Sequence, residues 1–226
     1  MTLSNPSQYD TLSVTEAVAL QKQMRENLNV HPFSKPVKYI GGADISFNKY
    51  EETVYAGVVI LKYPDMVLVE KSYIISETKF PYISGLLAFR EVPALLEVWN
   101  KLPFKPDVMM MDGHGIAHKR RMGIAAHFGL LADIPALGCG KSRLTGTFTE
   151  PANTKFAESP LMDKEEQIGV VLRSKINCNP IFISPGNKVS MQQAVDITKN
   201  CITKYRIPEP TRLAHLWVNE VRTGNV

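Results

Sequence analysis

VKYIGGADISFNKYEETVYAGVVILKYPDMVLVEKSYIIS, residues 37–76, is the stretch that decides the fold. It divides into three strand-like segments, 37–47, 53–63 and 66–76, each rich in Val, Ile and Tyr, which suit a pleated, half-buried surface. The links between them, 48–52 and 64–65, are too short for a crossover, so the segments are expected to pair as an antiparallel meander.

Downstream the period changes. After a loop around Pro81, Leu86, Leu87, Leu95, Leu96 and Trp99 fall at helical spacing, with Pro93 expected in the first turn, where its missing N–H does no harm. Residues 107–111 read as a buried strand that stops at Asp112-Gly113; a helix over 120–132 and a strand over 134–138 then give the alternation of a parallel sheet. Residues 145–164 are expected to form a hairpin or long loop, and 166–173 and 179–184 further strands. Ser190 to Gln193 has capping-box spacing and opens a helix to about Lys204; a last helix over 211–221 takes Thr211 as its cap. Upstream, Ser13 and Glu16 form another capping box, opening an N-terminal helix over 13–28 that packs outside the sheet. The whole is an α/β fold: a mixed sheet whose first three strands are antiparallel, with helices on both faces. That order suits an RNase H-like core.

Composition sets the class. At 226 residues, 44% hydrophobic and 21% charged, the chain fits one globular domain, 1–226, and is too apolar to stay disordered. A net charge of +4 permits a polyanionic partner without demanding one. Three cysteines, Cys139, Cys178 and Cys201, form no CxxC pair, which disfavours a zinc site or disulfide framework and points to the reducing cytoplasm. There is no secretory pattern at the N-terminus and no apolar run long enough for a membrane span.

Two acidic residues stand out. Asp44 interrupts the apolar segment 41–47, and Asp112 ends the segment 107–112. An unpaired carboxylate in a core is expensive, so such a residue needs a cation, a hydrogen-bond network or open solvent. Neighbouring strands would let both share a divalent metal, with Glu91 near a helix start as third ligand. Oxygen ligation suits Mg2+, with Mn2+ as a substitute. Singly, each residue also reads as an ordinary strand-end, turn or surface carboxylate; their joint appearance beside basic motifs favours the metal site.

Those basic motifs are GHGIAHKRR (113–121) and Gly140-Lys141-Ser142. Glycines allow close approach of backbone to a ligand, and Lys119, Arg120 and Arg121 are placed either to meet phosphates or to form a solvated helix start. His114 and His118 are four apart, but Gly115 replaces the general-base Glu of a zinc HExxH motif. The Gly-Lys-Ser run lacks the earlier glycine of a phosphate-binding loop, Pro135 standing in its place. The loop from Phe80 to Gly85 reads equally as a wedge into stacked bases and as a packed surface loop.

Six ordered blocks, GGADISF (41–47), PYISGLLAFRE (81–91), DGHGIAHKRRMGIAAHFGL (112–130), GKSRLTG (140–146), SPGNKVS (184–190) and RIPEPTRLAH (206–215), resemble the endonuclease V family, which recognises deaminated adenine. The resemblance runs from about Ala17 onward. It implies an RNase H-like fold and magnesium-dependent hydrolysis of the second phosphodiester bond 3′ to a hypoxanthine nucleotide, leaving a 5′-phosphate. Asp44, Asp112 and Glu91 match the family's metal-binding acids, Lys141 a lysine near the scissile phosphate, and His215 a histidine that positions or activates water. Tyr82 matches the strand-separating wedge, and Gly85, Gly113, His118, Gly123 and Ile124 the pocket for the flipped base. Ser84 departs from the family where the wedge often carries a second proline, and Lys119 where a proline often follows the histidine. The expected substrate is inosine-containing DNA, with RNA left open, and the expected state is a monomer. Two rivals remain at this point: another RNase H-like nuclease, of junction-resolvase or RNase H type, and a non-catalytic nucleic-acid-binding protein.

Overall fold

The computed structural model describes residues 6–48 and 51–225. A 3-10 turn, Pro6–Thr11, precedes helix α1, Val14–Arg25, whose capping box forms as expected: the Ser13 side chain accepts from the Glu16 N–H while the Glu16 carboxylate accepts from the Ser13 N–H. The helix stops at Arg25, three residues short of the expected Leu28. Strands β1 (Tyr39–Phe47), β2 (Thr53–Lys62) and β3 (Val67–Glu77) form the antiparallel meander. Helix α2 (Leu87–Lys101), strand β4 (Val108–Met111), helix α3 (Ile124–Leu131) and strand β5 (Ala136–Gly140) then alternate. The undecided region contributes strand β6 (Glu158–Asp163), which makes a hairpin with β7 (Glu166–Leu172); β8 (Ile181–Asn187), α4 (Met191–Asn200) and α5 (Glu209–Arg222) complete the fold.

Among the described residues, eight strands join one sheet in the order β3-β2-β1-β4-β5-β8-β7-β6, in which only β1–β4 and β4–β5 are parallel. Alternation sorts the side chains of the central strands between two cores. Ile40, Val108 and Met110 pack with Ala194, Val195 and Trp217 beneath α4 and α5, whereas Ala43, Met109 and Met111 pack with Ala88, Ala125 and Phe128 beneath α2 and α3. Helices therefore cover both faces. Helix α1 lies outside this sandwich, with Met24 against Met122 and Ala126. Among the described residues no helix is long and apolar enough to cross a membrane.

Three local expectations are corrected. Pro93 sits inside α2 rather than in its first turn, so the N–H that would reach the Phe89 carbonyl is missing. Helix α3 begins at Ile124, not Arg120, because Arg121 adopts φ +59° and Gly123 is extended. Thr211 is the third residue of α5 rather than its cap; Pro208 occupies the cap, and the Thr211 hydroxyl bonds the Pro208 carbonyl at 3.2 Å.

A close seam joins α5 to β1. A Cβ added to Gly42 would lie 2.0 Å from the Pro210 carbonyl oxygen, so the helix rests directly on strand backbone. Gly42→Ala is expected to lever α5 outward and cost at least about 2 kcal/mol of stability, as overpacking does. Thermal unfolding measures this, and an unchanged melting temperature would show that the seam is looser than described.

Candidate active site

The carboxylates meet because of register. Ala43 on β1 pairs with Met111 on parallel β4, and the Asp112 N–H bonds the Ala43 carbonyl at 3.2 Å, so Asp44 and Asp112 leave adjacent strands side by side. Helix α5, seated on Gly42, brings His215 over the same place; its Nδ1 lies 2.7 Å from Asp44 Oδ2. Lys141, the residue after β5, donates from Nζ to Asp112 Oδ2. The liganding atoms of Asp44, Asp112 and His215 all lie within 4.8 Å of one another, close enough to surround one metal ion.

Glu91 is not in that tight group, yet it feels it. Its carboxyl is pushed up to about 8, first by burial and then by the charges of Asp44 and Asp112, with Arg90 acting in the opposite direction. The Arg90 guanidinium is directed elsewhere, donating to the carbonyls of Phe80 at 3.0 Å and Glu51 at 2.7 Å. Burial and Asp44 also raise Asp112, while Lys141 opposes them. The hydrogen bond to Asp44 holds His215 above the usual histidine value. Three carboxyls crowded at one sheet end, opposed by Lys141, His215 and the charge of Arg90, form a site that favours added positive charge. Carboxylate oxygens with one imidazole suit a divalent cation.

A pocket of about 370 Å³ opens beside these acids. Gly85, Gly113, His118, Gly123 and Ile124, expected on resemblance to surround a base, all line it together with Glu91, Asp112 and Lys141. Asp44 and His215 are not in its lining. Tyr82 is 64% exposed and lines a neighbouring hollow with Phe47, whose ring centroid is 5.8 Å from its own.

The basic run does not form a phosphate clamp. Arg121 is buried and donates to Asp163 and Glu166, each at 2.7 Å, and to the His118 carbonyl at 2.8 Å. Arg120 turns inward to Gln21 and the Gly85 carbonyl. Of the three, Lys119 alone is exposed. His114 packs its ring over Gly140 and bonds the Ser142 carbonyl at 3.0 Å, a structural arrangement unlike a zinc ligand pair.

Sequence reasoning missed Gln21. It lines the pocket and is wholly buried on α1 with Ala17 and Met24, at positions four and three residues apart on one helical stripe. A polar residue in the middle of a buried stripe was the available signal.

The Endonuclease V family profile matches residues 20–216. Among solved structures, endonuclease V from Streptomyces avermitilis is 31% identical, with a TM-score of 0.89 over 94% of this chain and 94% of that one. Endonuclease V from Bacillus subtilis is 27% identical, with a TM-score of 0.91 over 100% of this chain and 97% of that one. Ciona intestinalis endonuclease V, solved in complex with a 23mer DNA containing an inosine followed by a ribo-adenosine, is 29% identical, with a TM-score of 0.83 over 94% of this chain and 98% of that one.

The crowded carboxyls have a consequence for stability. A carboxyl raised in the folded state keeps its proton where the unfolded chain has lost it. Its contribution is therefore present below the ordinary value of 4.5 and is lost as pH rises through about 8. Glu91→Gln, which cannot ionise, is expected to melt increasingly above the metal-free wild type as pH climbs through that window, with little difference at pH 4. A melting difference that does not vary with pH would show that Glu91 feels no such crowding.

Proposed function

Because this chain belongs to the endonuclease V family and is a nuclease, we propose that it hydrolyses a DNA strand at the second phosphodiester bond 3′ to a hypoxanthine nucleotide. The observation that carries this reading is the convergence of Asp44, Asp112 and His215 beside a glycine-lined pocket. An extruded base and the backbone that follows it would then engage one continuous site. The inosine-containing DNA bound by the Ciona intestinalis relative supports the choice of base.

Asp44 and Asp112, with Glu91 behind them, would hold Mg2+, for which Mn2+ can substitute. Bound there, the ion would supply positive charge to the phosphate under attack and make a water more acidic. The chain's own residues do the rest. Asp44 accepts from His215 Nδ1 and so turns the imidazole, and Nε2, which lies 3.4 Å from Asn219 Nδ2, would orient the attacking water. Lys141, tethered by Asp112, is placed to meet charge on the phosphate. The water oxygen bonds to phosphorus and the P–O3′ bond breaks, leaving a 3′-hydroxyl and a 5′-phosphate.

Base recognition requires extrusion, since the edge of a stacked base cannot reach a closed pocket. Exposed Tyr82 is suited to fill the gap left in the stack. Backbone around Gly85, Gly113 and Gly123 would read the carbonyl and ring N–H that distinguish hypoxanthine from adenine. RNA carrying inosine presents the same base and backbone charge, so we extend the proposal to it. We place the protein in the cytoplasm as a monomer working through a single catalytic domain; all three cysteines are free.

The test uses end-labelled single strands with one deoxyinosine, with and without magnesium, and maps the cut. Asp44→Asn and Asp112→Asn are each expected to lower turnover by more than about 100-fold while keeping the fold, since each removes a ligand charge without changing shape. Wild-type turnover in either variant would remove that residue from the site. Tyr82→Ala is expected to weaken engagement of inosine-containing duplex by about 1–3 kcal/mol, the worth of one stacking contact, mainly through KM. Unchanged KM on that duplex would exclude the wedge role.

A further inference from the structure

Three donors converge on one carbonyl at the rim of the pocket. The Gly85 oxygen accepts from Arg120 Nη2 at 2.7 Å, His118 Nε2 at 3.0 Å and Gln21 Nε2 at 3.1 Å. His118 Nδ1 already faces the backbone N–H groups of Arg120 and Met122, so its Nε2 carries the hydrogen. Gly85 adopts φ +81°, and a Cβ there would come within 3.2 Å of Arg120 Nη2. The backbone that turns back after Tyr82 is thus fixed by its carbonyl.

Gln21 does more than join this group. The same Nε2 also donates to the Met122 carbonyl at 3.2 Å, and its Oε1 accepts from Arg120 Nε. Met122 leads directly into Gly123 and Ile124, which line the pocket with Gly85. One carboxamide therefore spans two walls, with both N–H bonds on carbonyls and its oxygen on a guanidinium. The far end of the wedge loop is tied separately, Asp10 Oδ1 accepting from the Thr78 hydroxyl at 3.1 Å and from the Lys79 and Phe80 N–H groups at 2.9 Å each.

We infer that Gln21 is a positioning residue that sets the gap between the Gly85 and Met122 walls, and so determines which base the pocket admits. This rests on the base-pocket reading above. Two substitutions separate spacing from simple packing. Gln21→Met keeps the volume and loses every hydrogen bond, whereas Gln21→Glu keeps the shape, lets Arg120 pair with it, and sets an oxygen against two carbonyl oxygens.

The experiment compares wild type, Q21M and Q21E on strands identical except for one deoxyinosine or one deoxyxanthosine. Hydrogen exchange is followed at residues 82–86 and 122–124. The expected result is a change of roughly tenfold or more in the inosine-to-xanthosine ratio of kcat/KM, as misplacement of a bound group produces. Amides of the two loops should exchange at least about tenfold faster, with β1 and β4 unchanged. Equal loss on both substrates, or unchanged exchange in the loops, would overturn the inference and leave Gln21 a packing residue. If Q21M does not fold, Q21E carries the same comparison. Failure of wild type to cut inosine strands would overturn the proposed function instead, while the exchange arm would still decide whether Gln21 ties the two walls.

Discussion

Like charges held together at the end of a sheet are the constraint around which this protein is arranged. The register that pairs Ala43 with Met111 leaves Asp44 and Asp112 no choice but to be neighbours, and Glu91 faces both from α2. Such crowding disfavours the folded chain at neutral pH, and it persists only because rigid elements impose it. Two large cores fix the strands from either side, and Gly42 lets α5 approach closely enough to carry His215 into the group. Lys141 follows from the same geometry, since β5 runs parallel to β4 and ends beside it. In open α/β sheets the carboxyl ends of parallel strands are where ligands bind, and these residues occupy that edge.

The pocket beside the acids is built differently. Its walls are loops, and loops need explicit fastening because no ladder of backbone bonds defines them. Here the fastening comes from side chains remote in sequence: Asp10 and Gln21 from the N-terminal segment, Arg121 through the carboxylates of the β6–β7 hairpin. A strand framework thus sets the reacting edge, while a hydrogen-bonded frame sets the pocket that adjoins it.

Apart from β6, which falls in the undecided region 145–164, the strands were legible in the sequence because their signals are local. Richness in Val, Ile and Tyr marked β1 to β3, and Ser13 and Ser190 announced their helices through capping boxes that depend on four residues each. Asp44 and Asp112 were legible as carboxylates in apolar surroundings. Residues 120–123 were misread as helix because local propensity registers neither Arg121 at φ +59° nor the ion pairs that draw its side chain to the distant β6–β7 hairpin. Pro93 was misplaced because the packed face of α2 tolerates one missing hydrogen bond. Gln21 was missed for a related reason: its one local signal, a polar residue on an apolar helical stripe, says nothing of its partners Gly85, Arg120 and Met122, which lie between 64 and 101 residues away.

The inward turn of the arginines bears on how the protein would sense its ionic surroundings. Arg90, Arg120, Arg121 and Arg173 all engage internal carbonyls or carboxylates, so these four guanidiniums are not the ones offered to a polyanion. Each phosphate left uncontacted removes about 0.9 from the slope of log affinity against log salt, because its condensed counterions stay in place. Counterion release on a duplex would then come from exposed cations such as Lys119 and Arg143, and not from these four arginines.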